Sequence, residues 1–299
     1  MQTNKLLNGV EMPVIGIGTY QLAGDILKSV LQAGLEATGG SLLIDSAHSY
    51  PNETDIGHAL SIIFKEGSYK RYNVFLTSKI GDKLENGFPI GEYFYNTDAC
   101  PNHDTKAVVV KQFEEILKDL NSDYLDLLLI HWPYNDALED IWDAMESLYK
   151  KGVVRAIGVS NCRDRHLNRL IKSGSVVPMV NQIYVSPFNT QNQTRVFCDN
   201  KNIQVETYSP LHGISNNAFS DNKNIIDICR KYNKSLVQVI IRWNYQHVII
   251  PIPKSNNPFR IKSNFKIFDF ELTSAEMAII DSFNTDYQLL PESRYCPGY

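Results

Sequence analysis

Cysteine is scarce in this chain and never paired. Cys100, Cys162, Cys198, Cys229 and Cys296 are odd in number, widely spaced and never form C-x-x-C. That argues against a disulfide framework or a zinc ribbon and fits reduced thiols in a cytoplasmic protein. A basic excess is also missing: 29 Lys and Arg stand against 33 Asp and Glu, for a formal net charge of −4 and a pI near 6.0. Nucleic-acid and anionic-membrane binders usually carry the opposite balance. No apolar run approaches the roughly 18 residues of a membrane span, and the opening MQTNKLLNGV lacks the apolar region of a signal peptide. On the expectation of a cytoplasmic protein, the N-x-S/T triplets at Asn52, Asn192 and Asn233 are chance matches. P-loop, H-E-x-x-H and G-x-S-x-G motifs are absent, and no metal site is expected. Gly16 and Gly18 form G-x-G, but Gln21 stands where a dinucleotide fingerprint needs its third glycine.

What the chain does have is alternation. After a small hairpin, LLNGVEMP with Asn8-Gly9 as its turn, short apolar runs alternate with longer amphipathic segments. The runs are PVIGIG (13–18), SLLID (41–45), NVFLTSK (73–79), LDLLLIH (125–131), RAIGVSN (155–161), MVNQ (179–182), IQVETYS (203–209) and VIIPIP (248–253). Helical patterns lie between them, as in 107–120 and in 136–152, the latter closed by Gly152. Near the end, Thr273 precedes Glu276 at capping-box spacing. Continuous apolar strands alternating with helices imply parallel strands buried on both faces, and eight repeats predict a (β/α)₈ TIM barrel. No linker-like stretch divides the chain, so residues 1–299 read as one domain.

One connection is oversized. GDKLENGFPIGEYFYNTDACPNHD, rich in Gly, Asn, Pro and aromatics, separates Lys79 and Ile80 from the helix near Thr105. On a barrel it falls at the C-terminal face, with Phe88, Tyr93, Phe94 and Tyr95 as lid or pocket groups. A surface insertion packing its own aromatics fits the same composition.

The stretch SLLIDSAHSYPNETDIG delivers Asp45, His48, Tyr50, Asn52 and Glu53 just where an apolar strand ends. In a barrel, the carboxyl ends of all strands converge on one face. Read in order, they offer Asp45 and Tyr50, Lys79, His131, Ser160 and Asn161, Asn181 and Gln182, Tyr208 and Ser209, then Lys254 and Ser255. Singly, each has an ordinary explanation, such as a helix cap or a solvated cation. Together they suit carbonyl reduction. A phenol is a poor acid near neutrality, and a nearby ammonium lowers its pKa, so Tyr50 beside Lys79 becomes a usable general acid. Asp45 would hold Lys79 charged, and His131 would direct the carbonyl. His48 reads as a rim group, while Asn52 and Glu53 read as a cap and a dipole partner for the helix that follows.

These motifs resemble the aldo-keto reductase superfamily from end to end. GIGTY (16–20), IDSAHSYPNE (44–53) with IGHAL (56–60), LTSK (76–79), LLLIHWP (127–133), GVSN (158–161), NQ (181–182), TYSPL (207–211), IPKS (252–255) and RIKSN (260–264) carry the likeness in order. The resemblance implies a catalytic tetrad of Asp45, Tyr50, Lys79 and His131, with Tyr50 as proton donor. It implies NADPH as cofactor, with Gly18, Thr19 and Tyr20 beside it and Ser160, Asn161 and Gln182 on the nicotinamide carboxamide. Tyr208 would stack on the ring and Ser209 and Leu211 would contact the pyrophosphate. Lys254, Ser255 and Arg260 would hold the 2′-phosphate, and Asn264 the adenine. Paired cations beside a serine independently suit a dianionic phosphate.

Three departures stand out: Ser263 where relatives are usually acidic, Tyr20 where they often carry Trp, and the long 82–104 insertion. Tyr20, Trp132 and Tyr295 are substrate-side candidates, and the tail ESRYCPGY adds Cys296 and Tyr299. A plain ordered tail is the alternative. The expected partner is a small carbonyl compound, with the protein a monomer or weak oligomer. Two other functions are open at this level: a cofactor-sensing or regulatory partner on the same fold, and a barrel aldolase or isomerase using Lys79 as a Schiff-base nucleophile.

Overall fold

The computed structural model describes residues 2–81, 84–85, 88–89, 104–134 and 136–290, with backbone alone at 84–85 and 88–89. The chain opens with a hairpin of β1 (Thr3–Lys5) and β2 (Glu11–Pro13). Gly9 sits in its turn at φ 89°, a backbone region in which a side chain is strained.

Strands and helices then alternate. β3 (Gly16–Gly18) leads to α1 (Gly24–Thr38), β4 (Leu42–Asp45) to α2 (Glu53–Lys65), and β5 (Val74–Ile80) to the short pair β6 (Leu84–Glu85) and β7 (Phe88–Pro89). Next come α3 (Thr105–Asp119), β8 (Leu125–Ile130), α4 (Leu138–Lys150), β9 (Val154–Ser160) and α5 (Asp164–Ser173). β10 (Val180–Tyr184), α6 (Asn192–Asn200) and β11 (Gln204–Tyr208) follow. The last stretch holds α7 (Asn217–Ser220), α8 (Lys223–Tyr232), α9 (Leu236–Gln246), β12 (Ile249–Pro251), α10 (Pro258–Asn264) and α11 (Ser274–Asp281). Thr273 and Glu276 form the expected capping box at the start of α11. Each of the eight apolar runs overlaps one strand of the main sheet, three of them (73–79, 155–161 and 179–182) short of it by one or two residues.

That sheet is eight-stranded and parallel, in the order β12-β11-β10-β9-β8-β5-β4-β3. Its two edge strands meet where Gly18 N–H donates to Pro253 O at 3.4 Å, so the sheet curls into a (β/α)₈ barrel. Strand residues alternate between two cores. Leu42, Ile44, Leu76, Leu128, Ile157 and Val205 face the helices. Leu43, Phe75, Leu127, Leu129, Ala156, Val180, Ile250 and Ile252 fill the barrel interior, together with Leu6 and Met12 of the hairpin. The hairpin therefore plugs the amino-terminal end of the barrel. Continuing the inward alternation past the last apolar layer reaches Asp45, Lys79, His131, Ser160, Gln182, Glu206 and Tyr208 at the opposite end.

The lid candidates Tyr93, Phe94 and Tyr95, the side chain of Phe88, the tail residues Tyr295, Cys296 and Tyr299, and Cys100 lie outside the described residues. Cys162, Cys198 and Cys229 are free thiols. No helix among the described residues is long and apolar enough to cross a membrane.

Candidate active site

The carboxyl ends of the strands surround a cavity of about 440 Å³. Asp45, Tyr50, His131, Ser160, Asn161, Gln182, Tyr208, Ser209 and Lys254 line it, with Gly18, Tyr20 and Trp132. Ile252, Leu289 and Leu290 complete the wall and were not anticipated from sequence. A second cavity, bordered by Lys5, Arg195 and His247, contains none of the strand-end residues.

Lys79 lies directly beneath the floor, 0% exposed. Its ammonium donates to Asp45 Oδ1 at 2.7 Å and to Ser46 O at 2.8 Å, and lies 5.2 Å from the Tyr50 ring centroid. A buried cation survives only when paired and hydrogen-bonded. Burial alone would lower the Lys79 pKa, but Asp45, Tyr50 and Glu206 together raise it, so it stays charged. The Tyr50 phenol departs from expectation: burial pushes its pKa above the ordinary value, and the opposing pull of Lys79 offsets only part of that. Tyr50 is accordingly held in its protonated, donating form. Burial first, and the charge of Lys79 second, hold His131 well below the usual imidazole range, so its ring is neutral. Tyr50 meets that ring edge-on with centroids 5.8 Å apart, and Ser49 Oγ lies 3.2 Å from its Nδ1.

A polar network runs around the rim. Gln182 Nε2 donates to Asp45 Oδ1 at 2.7 Å and to Glu206 Oε2 at 2.6 Å. Both amide protons of Gln182 are thereby engaged, leaving its carbonyl oxygen as an acceptor. Glu206 is fully buried, its Oε1 has no hydrogen-bond partner among the described residues, and burial together with the charge of Asp45 raises its pKa to about 8. Tyr208 donates to Asn161 Oδ1 at 2.8 Å, and Asn161 Nδ2 donates to His131 O and Ser160 Oγ, each at 3.1 Å. Asn161 and Ser209 hold left-handed backbone at φ 59° and 50°, just past the carboxyl ends of β9 and β11. Strain of this kind concentrates at functional sites.

Other sequence candidates fall elsewhere. Thr19 is buried and its hydroxyl donates to Asp45 O, so it braces the acid's backbone rather than facing the cavity. Leu211 packs on the outer core. Asn181 points outward and donates to Cys162 O. Ser255 accepts from Asn257 N–H in the turn before α10, while Lys254 and Arg260 are exposed without a carboxylate partner among the described residues. Lys254 Nζ lies 5.9 Å from the Tyr20 ring centroid. Asn264 is buried on α10, and Ser263 O accepts from Gln238.

The segment after Tyr50 also differs from its sequence reading. Asn52 holds the N-cap position of α2 but makes no side-chain cap bond; its side chain donates instead to Thr19 O at 2.7 Å and Leu22 O at 2.8 Å, tying α2 to the loop after β3. Glu53 is no solvated dipole partner. It is 3% exposed, accepts from Ser78 Oγ, and burial raises its pKa to about 7. The His48 side chain is mostly buried, with Nε2 3.4 Å from Glu115 Oε2.

At the mouth, Tyr184 OH bonds His212 Nδ1 at 3.1 Å and His212 stacks on Tyr287 at 5.5 Å. Tyr287 N–H donates to Phe188 O, which lays the segment bearing Leu289 and Leu290 along the cavity. Two adjacent leucines near the end of a chain carry no signal of such a role.

Residues 14–285 match the Aldo/keto reductase family. The chain belongs to this family. It is 39% identical to the glyoxal reductase of Bacillus subtilis (strain 168), over 97% of this chain and 95% of that protein. It is 36% identical to the 9,11-endoperoxide prostaglandin H2 reductase of Trypanosoma cruzi, over 95% and 92% of the two chains. Among solved structures, the Bombyx mori aldo-keto reductase in complex with NADP superposes with a TM-score of 0.83 at 29% identity, covering 98% of this chain and 97% of that one.

Proposed function

We propose that this chain, as a single barrel domain over residues 1–299, is an NADPH-dependent reductase of aldehydes or ketones with Tyr50 as proton donor. The observation that carries the reading is the buried Asp45–Lys79 ion pair beneath Tyr50, beside a neutral His131, on the floor of a cavity. The same cavity suits the cofactor. The carbonyl oxygen of Gln182 suits a carboxamide N–H₂, and Lys254 on its lining with Arg260 beyond it, both exposed without a carboxylate partner among the described residues, suit a phosphate dianion. Bound NADPH supplies the hydride.

The protein's own groups then divide the rest of the work. His131, neutral, donates to the carbonyl oxygen and orients it. Tyr50 gives its phenolic proton to that oxygen as negative charge develops there, so the carbonyl becomes an alcohol. Lys79, kept charged by Asp45, stabilises the phenolate left behind until a solvent proton replaces the one transferred. A Schiff-base role for Lys79 does not fit, because a lysine held protonated is no nucleophile.

Tyr20, Trp132, Ile252, Leu289 and Leu290 give the cavity a largely apolar wall, which favours aromatic or aliphatic carbonyls over sugar aldehydes. The test follows nicotinamide absorbance with NADPH or NADH against a panel of these carbonyls, for the wild type and a Lys254→Ala/Arg260→Ala variant. Turnover is expected to prefer NADPH, and the variant's KM for NADPH to rise about tenfold or more while its KM for NADH moves little. Equal use of both cofactors by the wild type would remove the phosphate role of Lys254 and Arg260. No turnover of any carbonyl would overturn the reductase reading.

A further inference from the structure

Ser49 sits one residue before Tyr50 in the turn after β4, and the chemistry above does not use it. Its hydroxyl oxygen lies 3.2 Å from His131 Nδ1. Among the described residues, that ring nitrogen is the only hydrogen-bond partner of Ser49 Oγ, and Ser49 is the only side chain bonded to either ring nitrogen of His131. Around the ring, Tyr50 presents an edge and Trp132 stacks at 6.2 Å, while Asn161 Nδ2 takes the main-chain oxygen of His131 rather than the imidazole.

A neutral imidazole has one proton and two places to carry it. With the proton on Nδ1, His131 donates to Ser49 and its Nε2 lone pair repels a carbonyl oxygen. With the proton on Nε2, the ring donates to a carbonyl oxygen, and Nδ1 accepts a hydroxyl proton for which Ser49 has no other protein acceptor among the described residues. Only the second arrangement pairs the Ser49 proton within the described protein and supplies the donor that the reduction needs.

We propose that Ser49 is a positioning residue that fixes His131 in its Nε2–H tautomer by donating to Nδ1. The proposal deepens the reductase reading and rests on it for its catalytic consequence, whereas the tautomer itself is observable without turnover. Because both ring nitrogens are otherwise free of side-chain hydrogen bonds among the described residues, the bias on the tautomer comes from this one hydroxyl.

The experiment records imidazole ¹H–¹⁵N correlations on protein labelled with ¹⁵N-histidine, for the wild type, Ser49→Ala and Ser49→Thr. The His131 signal is assigned by its loss in His131→Gln. Carbonyl reduction is assayed in parallel. The expected result is a wild-type His131 held as Nε2–H at neutral pH and a mixed or Nδ1–H population in Ser49→Ala. In that variant kcat falls about five- to tenfold, the worth of one hydrogen bond, with NADPH affinity unchanged. Ser49→Thr, which keeps the hydroxyl, restores both. A wild-type ring in the Nδ1–H form, or a tautomer unaffected by Ser49→Ala, overturns the proposal. So does a shifted tautomer with unchanged kcat. If the wild type turns over no carbonyl while the tautomer shifts as expected, the assignment of the tautomer stands and the reductase reading fails.

Discussion

Glu206 is a carboxyl group placed where charge is already balanced. Asp45 and Lys79 neutralise one another 2.7 Å apart, and a second carboxylate joined to Asp45 through Gln182 would add an uncompensated charge. Burial and Asp45 therefore raise its pKa to about 8, and at neutral pH it is a neutral acid. The consequence for stability has a definite sign. Between the ordinary carboxyl pKa of about 4.3 and the raised value, the native state keeps a proton that the unfolded chain has released. Stability contributed by this residue is thus full at low pH, falls as pH rises through that window, and levels off above it. Glu206→Gln carries no charge at any pH. Its urea midpoint relative to wild type is expected to become more favourable from pH 5 to pH 8, and a pH-independent difference would count against a buried neutral acid. Tyr50 and His131 keep their charge states between pH 6 and 8, since burial raises the one and lowers the other. Glu53, raised to about 7, also titrates in this range, so an inflection near pH 8 in the kcat profile belongs to Glu206 only if it vanishes in Glu206→Gln. None of this was legible in IQVETYS. One acid in a strand reads as a solvent-facing group until the barrel's alternation turns it inward, and its partners come from β4, β5 and β10. Ser49 was hidden for the same reason, because its partner lies 82 residues away. That Asp45, Lys79 and His131 share one end of the barrel was legible because each closes or follows an apolar run at a strand's carboxyl end.

At the level of elements, eight strands were legible because each is buried on both faces, which leaves continuous apolar runs between amphipathic helices. What sequence could not supply is how the connections lock together. The loop after β3 and the start of α2 are joined by Asn52, whose residue type suggests a cap and whose side chain instead reaches Thr19 O and Leu22 O. The α2–α3 contact is another case. A Cβ on Gly57 would collide with Asp119 O and crowd the Leu120 backbone at the end of α3. Backbone cannot yield as a flexible side chain does, so Gly57→Ala is expected to destabilise the fold by about 1–3 kcal/mol. Thermal or urea unfolding measures that loss. NADPH affinity should be unchanged, because the contact lies outside the cavity. A variant as stable as the wild type would mean that the two helices separate without cost.

Across the whole molecule, the barrel keeps stability and chemistry at opposite ends. The hairpin residues Leu6 and Met12 seal one end with apolar side chains, and the charged and hydrogen-bonding groups collect at the other. The net charge of −4 makes the surface no general attractor for an anionic cofactor. In the proposed reading attraction is local, at the exposed Lys254 and Arg260, and weakens with salt as exposed charges do. Lys262 is already engaged by Glu36 at 2.6 Å. The apolar wall of the cavity was the least legible part. Ile252, Leu289 and Leu290 are ordinary apolar residues whose place depends on how the last described segment lies across the barrel mouth. In the proposed mechanism the Tyr50 phenol delivers the proton. The most direct test of that role is kcat for reduction of one carbonyl by NADPH in Tyr50→Phe, with cofactor affinity measured on the same sample by fluorescence titration. NADPH binding is expected within about twofold of wild type and kcat lower by about 10²–10⁴-fold, the range for loss of a general acid. A Tyr50→Phe protein that binds NADPH normally and reduces the carbonyl at the wild-type rate would contradict that role.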